Sequence, residues 1–302
     1  MTEFLEAVVR GVGLGSVYAL LALGFVIIYK STGAISFAQP ALMLSGAVVA
    51  SYVLPVLPFG SAILTFFVAL AAGALAASAL GLAVERTAIR PMIGKPVFAV
   101  AIITIGIDIA IRVVANGFIG LGARPIGNPW GLDHFTIAGV DVQWRHLAMF
   151  VTTVVLVLAL FWFFRSTKHG LAMRAVAFDQ EAAMTQGINV GTVFALSWAL
   201  AAALATVAGV FYSTVSGVDQ QLWVVALAAL PAIVLGGLDS LEGALVGGLA
   251  IGVTESIVAT YAREVAPWLG DNVDRVAPYA LMLAVLLVRP HGLFGTPEVR
   301  RL

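Results

Sequence analysis

Long apolar runs recur along the chain, near 7–29, 36–54, 61–84, 97–116, 147–164, 191–215, 222–238, 241–260 and 276–288. A bilayer crossing needs about 20 predominantly apolar residues, so each run is a candidate transmembrane helix. The runs 222–238 and 241–260 are joined only by Asp239 and Ser240, and the last run is short. One of these three is a candidate half-helix or re-entrant segment. The pattern therefore predicts an all-α, polytopic protein of eight or nine spans.

Two polar stretches interrupt it. Between Arg165 and Val190 stand Arg165, Lys168, Arg174, Asp179 and Glu181, with His169 beside them. Apolar residues recur there at Leu171, Ala175, Phe178, Ala182 and Met184, roughly at helical spacing. So long a polar stretch between spans exceeds an ordinary connector. Two readings fit: an amphipathic helix that docks a soluble partner, or one that lies on lipid headgroups. The other stretch is 117–146. Pro125, Pro129 and several glycines exclude a helix through its first half. Phe135–Ile137 and Val140–Val142, around Ala138-Gly139, read as a small β-hairpin. The chain is thus organised as one membrane domain, 1–302. Its parts are a first half 1–116, a loop 117–146, the charged segment 165–190 and a second half 191–302.

Composition agrees. Hydrophobic residues make up 61% of the chain and charged residues 11%, against about 25% charged in soluble domains. The net charge is zero, so nothing points to nucleic acid, and the absence of cysteine excludes disulfides and thiolate chemistry. Positive charge in short loops marks the cytoplasmic side. Lys30, then Arg86, Arg90 and Lys95, then Arg165, Lys168 and Arg174, then Arg289, Arg300 and Arg301 fall on one side if every run crosses. This predicts a multi-pass membrane protein with its N-terminus outside and its C-terminus in the cytoplasm. The opening MTEFLEAVVR carries Glu3 and Glu6 rather than a basic leader, so insertion is expected to rely on the first span.

A weak internal symmetry is visible. A span ending at Tyr29 runs into a polar break, 30–39, and then a small-residue helix; a span ending at Tyr212 does the same through 213–221. Inverted repeats with broken helices characterise transporters, and the breaks approach the solute path. Ser36, Gln39, Gln220 and Gln221 bring neutral hydrogen-bonding groups beside Phe37 and Trp223. Such groups suit a small zwitterionic or amide solute; helix capping is the other reading for them, and for Asp219. Gly11/Gly15, Gly243/Gly247 and Gly248/Gly252 are spaced for close helix approach.

No catalytic set emerges. His134, His146, His169 and His291 read as loop residues without a ligand pattern, and Gly94-Lys95-Pro96 lacks the glycine spacing and following Ser/Thr of a nucleotide-binding loop. The chain is therefore read as a non-enzyme with no metal site and no cofactor of its own. Intramembrane charges are the remaining candidates. Asp108 and Arg112 share a helix face at i and i+4, as a point on a pathway or as a self-neutralised pair. Glu255 has no partner nearby in sequence and either pairs across helices or faces a polar cavity. If Asp108, Arg112 and Glu255 carried ion coupling, the chain would be a secondary transporter or channel instead.

The chain resembles the LivH-type inner-membrane permeases of branched-chain amino acid ABC importers over nearly its whole length. The matching stretches are Gly15–Gly24, Phe37-Ala38 with Gly46-Ala47, Glu85-Arg86 with Arg90-Pro91, and Gly170–Ala175 with Asp179. Gly187-Ile188, Ala208-Gly209 and Leu235–Gly237 with Gly243 complete them. The resemblance implies a type II-like importer core with inverted halves. It implies that 165–190 docks onto ATP-binding subunits through Arg174, Ala175, Asp179 and Gly187. It also implies a second, similar permease, two ATPases that bind ATP and Mg, and a periplasmic solute-binding protein. Ser36, Phe37, Gln39, Gln220 and Gln221 are expected along the substrate pathway. The chain departs from the family at Gln39-Pro40, where His-Gly is common, at Ser36, where Asn is common, and at Asp108. These departures bear on which solute is carried.

Overall fold

In the computed structural model the described residues are 2–57, 59–131, 133–137, 139–265, 268 and 272–295. Arg300 and Arg301, counted above toward orientation, lie outside them, as does Ala138 of the hairpin turn. Seven described helices are long and apolar enough to cross a membrane. They are Thr2–Thr32 (α1), Gln39–Val53 (α2, prolonged by a tight turn to Val56), Ala62–Val84 (α3, prolonged to Met92), Val97–Ile119 (α4), Trp144–Ser166 (α5), Val190–Ser216 (α8) and Leu241–Val265 (α11). Between α5 and α8 lie the short helices Lys168–Phe178 (α6) and Gln180–Thr185 (α7).

The span count is lower than the sequence predicts. The run 222–238 is divided into Trp223–Ala228 (α9) and Leu230–Gly236 (α10), with Pro231 in the first turn of α10. Proline cannot supply the N–H that would continue a helix. The last run forms Ala277–Val288 (α12), about 18 Å long at 1.5 Å per residue, against roughly 30 Å of hydrocarbon. Of the three runs in doubt, two are therefore too short or too broken to be ordinary spans.

The hairpin forms as read. His134–Ile137 (β1) pairs antiparallel with Val140–Gln143 (β2), Phe135 opposite Val142 and Thr136 opposite Asp141. Gly139, at φ +84°, supplies the left-handed turn residue. His146 and His169 are not in loops; they occupy the first turns of α5 and α6.

α1 is the centre of the bundle. From Gly15 to Ile28 its residues are buried on every side, which is why the sequence there is apolar without a stripe. α11 crosses it antiparallel. A Cβ on Gly11 would stand 2.6 Å from Val253 Cα, one on Gly15 2.8 Å from Leu249 Cα, and one on Gly252 would overlap the backbone of Gly15. The three small-residue pairs thus have assigned partners: Gly11/Gly15 face Gly248/Gly252, while Gly243/Gly247 face Ala232 and Gly236 of α10. Lipid tails are as apolar as leucine, so this backbone proximity, rather than a hydrophobic drive, holds the helices together.

The bundle has two distinct ends. One carries the hairpin. At the other, Lys30 Nζ donates to Asp239 O at 2.8 Å, Gln180 Nε2 to Ser31 O at 2.9 Å, and Arg90 Nη2 to Gly191 O at 3.2 Å. Leu293 and Phe294 N–H bond the last carbonyls of α10, Leu235 and Gly236, at 2.8 and 2.9 Å. The described members of the four basic regions therefore gather at the end that carries α6 and α7.

Candidate functional site

The break before α2 is built at depth, not at a surface. Gln39 opens α2, is 0% exposed, and donates from Nε2 to Ala201 O inside α8 at 3.0 Å. Gly24 of α1 leaves the room, because a Cβ there would collide with the Gln39 amide. Ser36 is buried and its hydroxyl accepts the Ala38 N–H at 3.4 Å. Phe37 is half-buried, and its N–H donates to Thr104 Oγ1 of α4 at 3.1 Å.

The second break lies elsewhere. Gln220 Nε2 donates to Gly120 O, just past α4, at 2.6 Å, and Asp219 Oδ1 accepts the Gln221 N–H at 2.9 Å, a capping role. Both glutamines are exposed at the hairpin end. Thr104 and Gly120 are about 24 Å apart along α4, so the two breaks do not meet. What connects them is a feature the sequence reading took only in part. Thr104, Asp108, Arg112 and Asn116 are spaced by four on α4, which stacks them on one helix face. Asp108 and Arg112 pair at 2.7 Å, as their spacing predicts. The Asp108 carboxylate lies beside the Ala41 N–H in the first turn of α2. The Arg112 guanidinium covers the Trp223 ring at 4.1 Å. Along this seam Gln39 Oε1, Asp108 Oδ1, Arg112 Nε and Asn116 Oδ1 are all buried without a hydrogen-bond partner. Each such atom costs roughly 1–3 kcal/mol in a packed interior. The i+4 spacing of four polar residues inside an apolar run was the signal available in the sequence.

The charged segment is held by caps. Thr167 Oγ1 accepts the Gly170 N–H at 2.9 Å to start α6, and Asp179 Oδ1 accepts the Ala182 N–H at 2.9 Å to start α7. Gly187, at φ +80°, ends α7, with Ile188 N–H on Ala183 O at 3.0 Å. Gly170 lets α6 fold back against α5, since a Cβ there would stand 2.6 Å from Phe164 Cα. The residues turned inward are Gly170, Met173, Val176 and Ala183. The apolar series read from the sequence points mostly the other way: Leu171, Phe178, Ala182 and Met184 are exposed, Phe178 at 94%, beside exposed Arg174, Asp179 and Glu181. Ala175 is half-buried.

Two further carboxylates have found partners, one across helices and one close in sequence. Glu255 accepts the Tyr18 hydroxyl of α1 at 2.7 Å. Glu85, 1% exposed, takes Arg90 in a two-point bond, Nε to Oε1 at 3.0 Å and Nη2 to Oε2 at 2.9 Å. Arg90 also reaches Gly191 O and so ties the end of α3 to the start of α8.

This arrangement has relatives. Residues 7–286 match the family described as branched-chain amino acid transport system, permease component. The chain is 32% identical to the high-affinity branched-chain amino acid transport system permease protein LivH of Escherichia coli K12, over 99% of this chain and 97% of that one. It is 32% identical to the corresponding protein BraD of Pseudomonas aeruginosa, over 99% and 98%. Among solved structures, an inward-facing metal-chelate type ABC transporter is similar in fold, with TM-score 0.51, 13% identity, and 94% and 87% of the two chains covered.

Proposed function

Because this chain belongs to the permease family of branched-chain amino acid transport systems, we propose that it is the membrane-spanning subunit of an ATP-driven importer for branched-chain or related amino acids. The observation that carries this reading is similarity to LivH and BraD along nearly the full length of all three chains. The secondary-transporter alternative has no such support.

In this reading the complex has a second, similar permease, two ATP-binding subunits that hold ATP and Mg, and a solute-binding protein. The α6–α7 end faces the cytoplasm and the hairpin end faces outward, following the basic residues gathered around Lys30, Arg90 and Arg174. The ATP-binding subunits dock on α6 and α7. Arg174 offers charge there, and Ala175 packs α6 onto the bundle. Asp179 and Gly187 set the turns that present Leu171, Phe178 and Met184. Outward apolar side chains among charges suit a protein partner better than headgroups, because the face turned to the bundle is already filled by Met173 and Val176.

The solute path follows the α4 seam. Gln220 and Gln221 stand at its outer mouth, and Ser36, Phe37 and Gln39 at its inner part. Irregular backbone and unpaired polar atoms at membrane depth are tolerated where they line a passage. Asp108 and Arg112 neutralise each other, so the seam offers hydrogen bonds with little net charge.

The test is reconstitution of the two permeases and two ATP-binding subunits in vesicles, with the solute-binding protein added. Branched-chain amino acids, presented by the binding protein, are expected to stimulate ATP hydrolysis and to enter. Uptake without ATPase subunits, or stimulation only by unrelated solutes, would reject the reading.

A further inference from the structure

A polar cavity apart from the α4 seam opens at the hairpin end between α1, α5, α8 and α11, with a volume of about 470 Å³. That lies within the ordinary size range of small-molecule sites, roughly 300–1,000 Å³. Its walls carry opposite charge. Arg10 of α1 and Arg145 of α5 line it together with Glu3 of α1, Glu255 of α11 and Asp274, and the His146 and Tyr212 rings face it as well. Glu255 accepts one bond, from Tyr18, and makes no ion pair among the described residues. Arg145 makes none either. Its Nε, and both ring nitrogens of His146, are buried without a hydrogen-bond partner. The neighbouring Arg10, by contrast, donates to Thr260 Oγ1 at 2.9 Å.

Charged groups inside a membrane bundle are costly unless they pair or face a polar cavity. Here a cation and a carboxylate line the same cavity yet do not bond each other. That is the complement of one molecule bearing both charges. We propose that this cavity receives a zwitterionic α-amino acid, its carboxylate toward Arg145 and His146 and its ammonium toward Glu255, with the Tyr212 ring beside it. The inference rests on the transport reading and deepens it. The cavity is a receiving station at the mouth of the bundle that selects for the paired charges before the side chain is sorted.

The experiment uses the assembled importer in vesicles of phosphatidylglycerol, which lacks a zwitterionic headgroup. The chain has no cysteine, so Val215→Cys, at an exposed position on the cavity wall, gives one reporter in this chain. Its reaction with a membrane-impermeant thiosulfonate is timed with and without L-leucine. Saturating leucine is expected to slow labelling several-fold. Neither 4-methylpentanoate, which lacks the ammonium, nor isoamylamine, which lacks the carboxylate, is expected to protect at the same concentration. Glu255→Gln and Arg145→Gln, on opposite walls, are each expected to raise the leucine concentration needed for protection by about tenfold or more, the worth of a charged hydrogen bond. Equal protection by the singly charged analogues overturns the proposal. So does unprotected labelling in a complex with normal uptake. Protection by added phosphatidylethanolamine but not by leucine assigns the cavity to lipid and overturns it too. A complex that takes up no amino acid with ATP removes the transport reading itself, a result distinct from the others.

Discussion

Gln39 separates a transport role from a structural one. Replacing it with leucine removes one neutral hydrogen bond, to Ala201 O, worth about 1 kcal/mol net. The Ala201 carbonyl is not orphaned, because it lies in the interior of α8 and keeps its i+4 helix partner. The substitution also removes Oε1, which is buried without a partner, and that relief works in the opposite direction. The two effects nearly cancel, so stability is expected to change by no more than about 1 kcal/mol, a shift of a few degrees in Tm. Turnover behaves differently if Gln39 flanks the path. One hydrogen bond to solute lost in the rate-limiting state slows uptake by about 3- to 10-fold. Uptake and ATP hydrolysis in vesicles, with thermal unfolding of the same preparations, make the comparison. Gln39→Met, closer in shape, is expected to behave like leucine. Wild-type uptake from both stable variants would refute the pathway role. A large loss of Tm with uptake falling only in proportion to folded protein would leave Gln39 a structural bond and refute it equally.

Other outcomes follow from the same geometry. Arg174→Glu and Phe178→Asp, both on the exposed face of α6, are expected to leave insertion intact and weaken ATPase association about tenfold or more, read by co-purification; unchanged association would place docking elsewhere. A Cβ added at Gly187 meets no atom within 4 Å, so the cost expected of Gly187→Leu is that of the left-handed backbone, about 1–2 kcal/mol. Gly187→Asn should recover most of that in an association assay, and equal defects in both would refute the turn argument. Gly252→Ala drives a methyl into the Gly15 backbone and is expected to cost about 1–3 kcal/mol. Gly106→Ala, with open space around it, should be neutral or slightly stabilising; Tm values that do not separate the two would count against the α1–α11 seam. A cysteine at His134 should react with impermeant reagent in intact cells, and one at His169 only after lysis; the reverse would overturn the orientation.

Much of the site was legible, though not its connections. Asp108 and Arg112 pair because a helix places i+4 residues together, and that rule needs no tertiary information. The hairpin likewise follows from alternation around a glycine. Thr104 and Asn116 extend the i+4 series of Asp108 and Arg112, which the sequence shows, but that the series joins the two breaks depends on Thr104 meeting Phe37 and Arg112 meeting Trp223. Tyr18 as the partner of Glu255 was beyond reach, since 237 residues separate them. The bond of Glu85 to Arg90 was close in sequence, but its tie to Gly191 depends on how α3 meets α8.

The sequence by itself determined that this is a helical membrane protein, roughly where seven of its spans lie, which segments are polar, and to which family it belongs. Those properties depend on local composition, on the 3.6-residue period, and on the order of short motifs. The tertiary structure alone decided which apolar faces meet protein and which are left open. Periodicity marks an apolar stripe on α6 but cannot say which way it points: Met173 and Val176 turn inward while Leu171 and Phe178 turn out. In a membrane protein the core and the surrounding solvent are both apolar, so hydrophobicity no longer distinguishes inside from outside. That choice passes to glycine contacts, buried hydrogen bonds and the depth at which a helix breaks, all of which are set by distant parts of the chain.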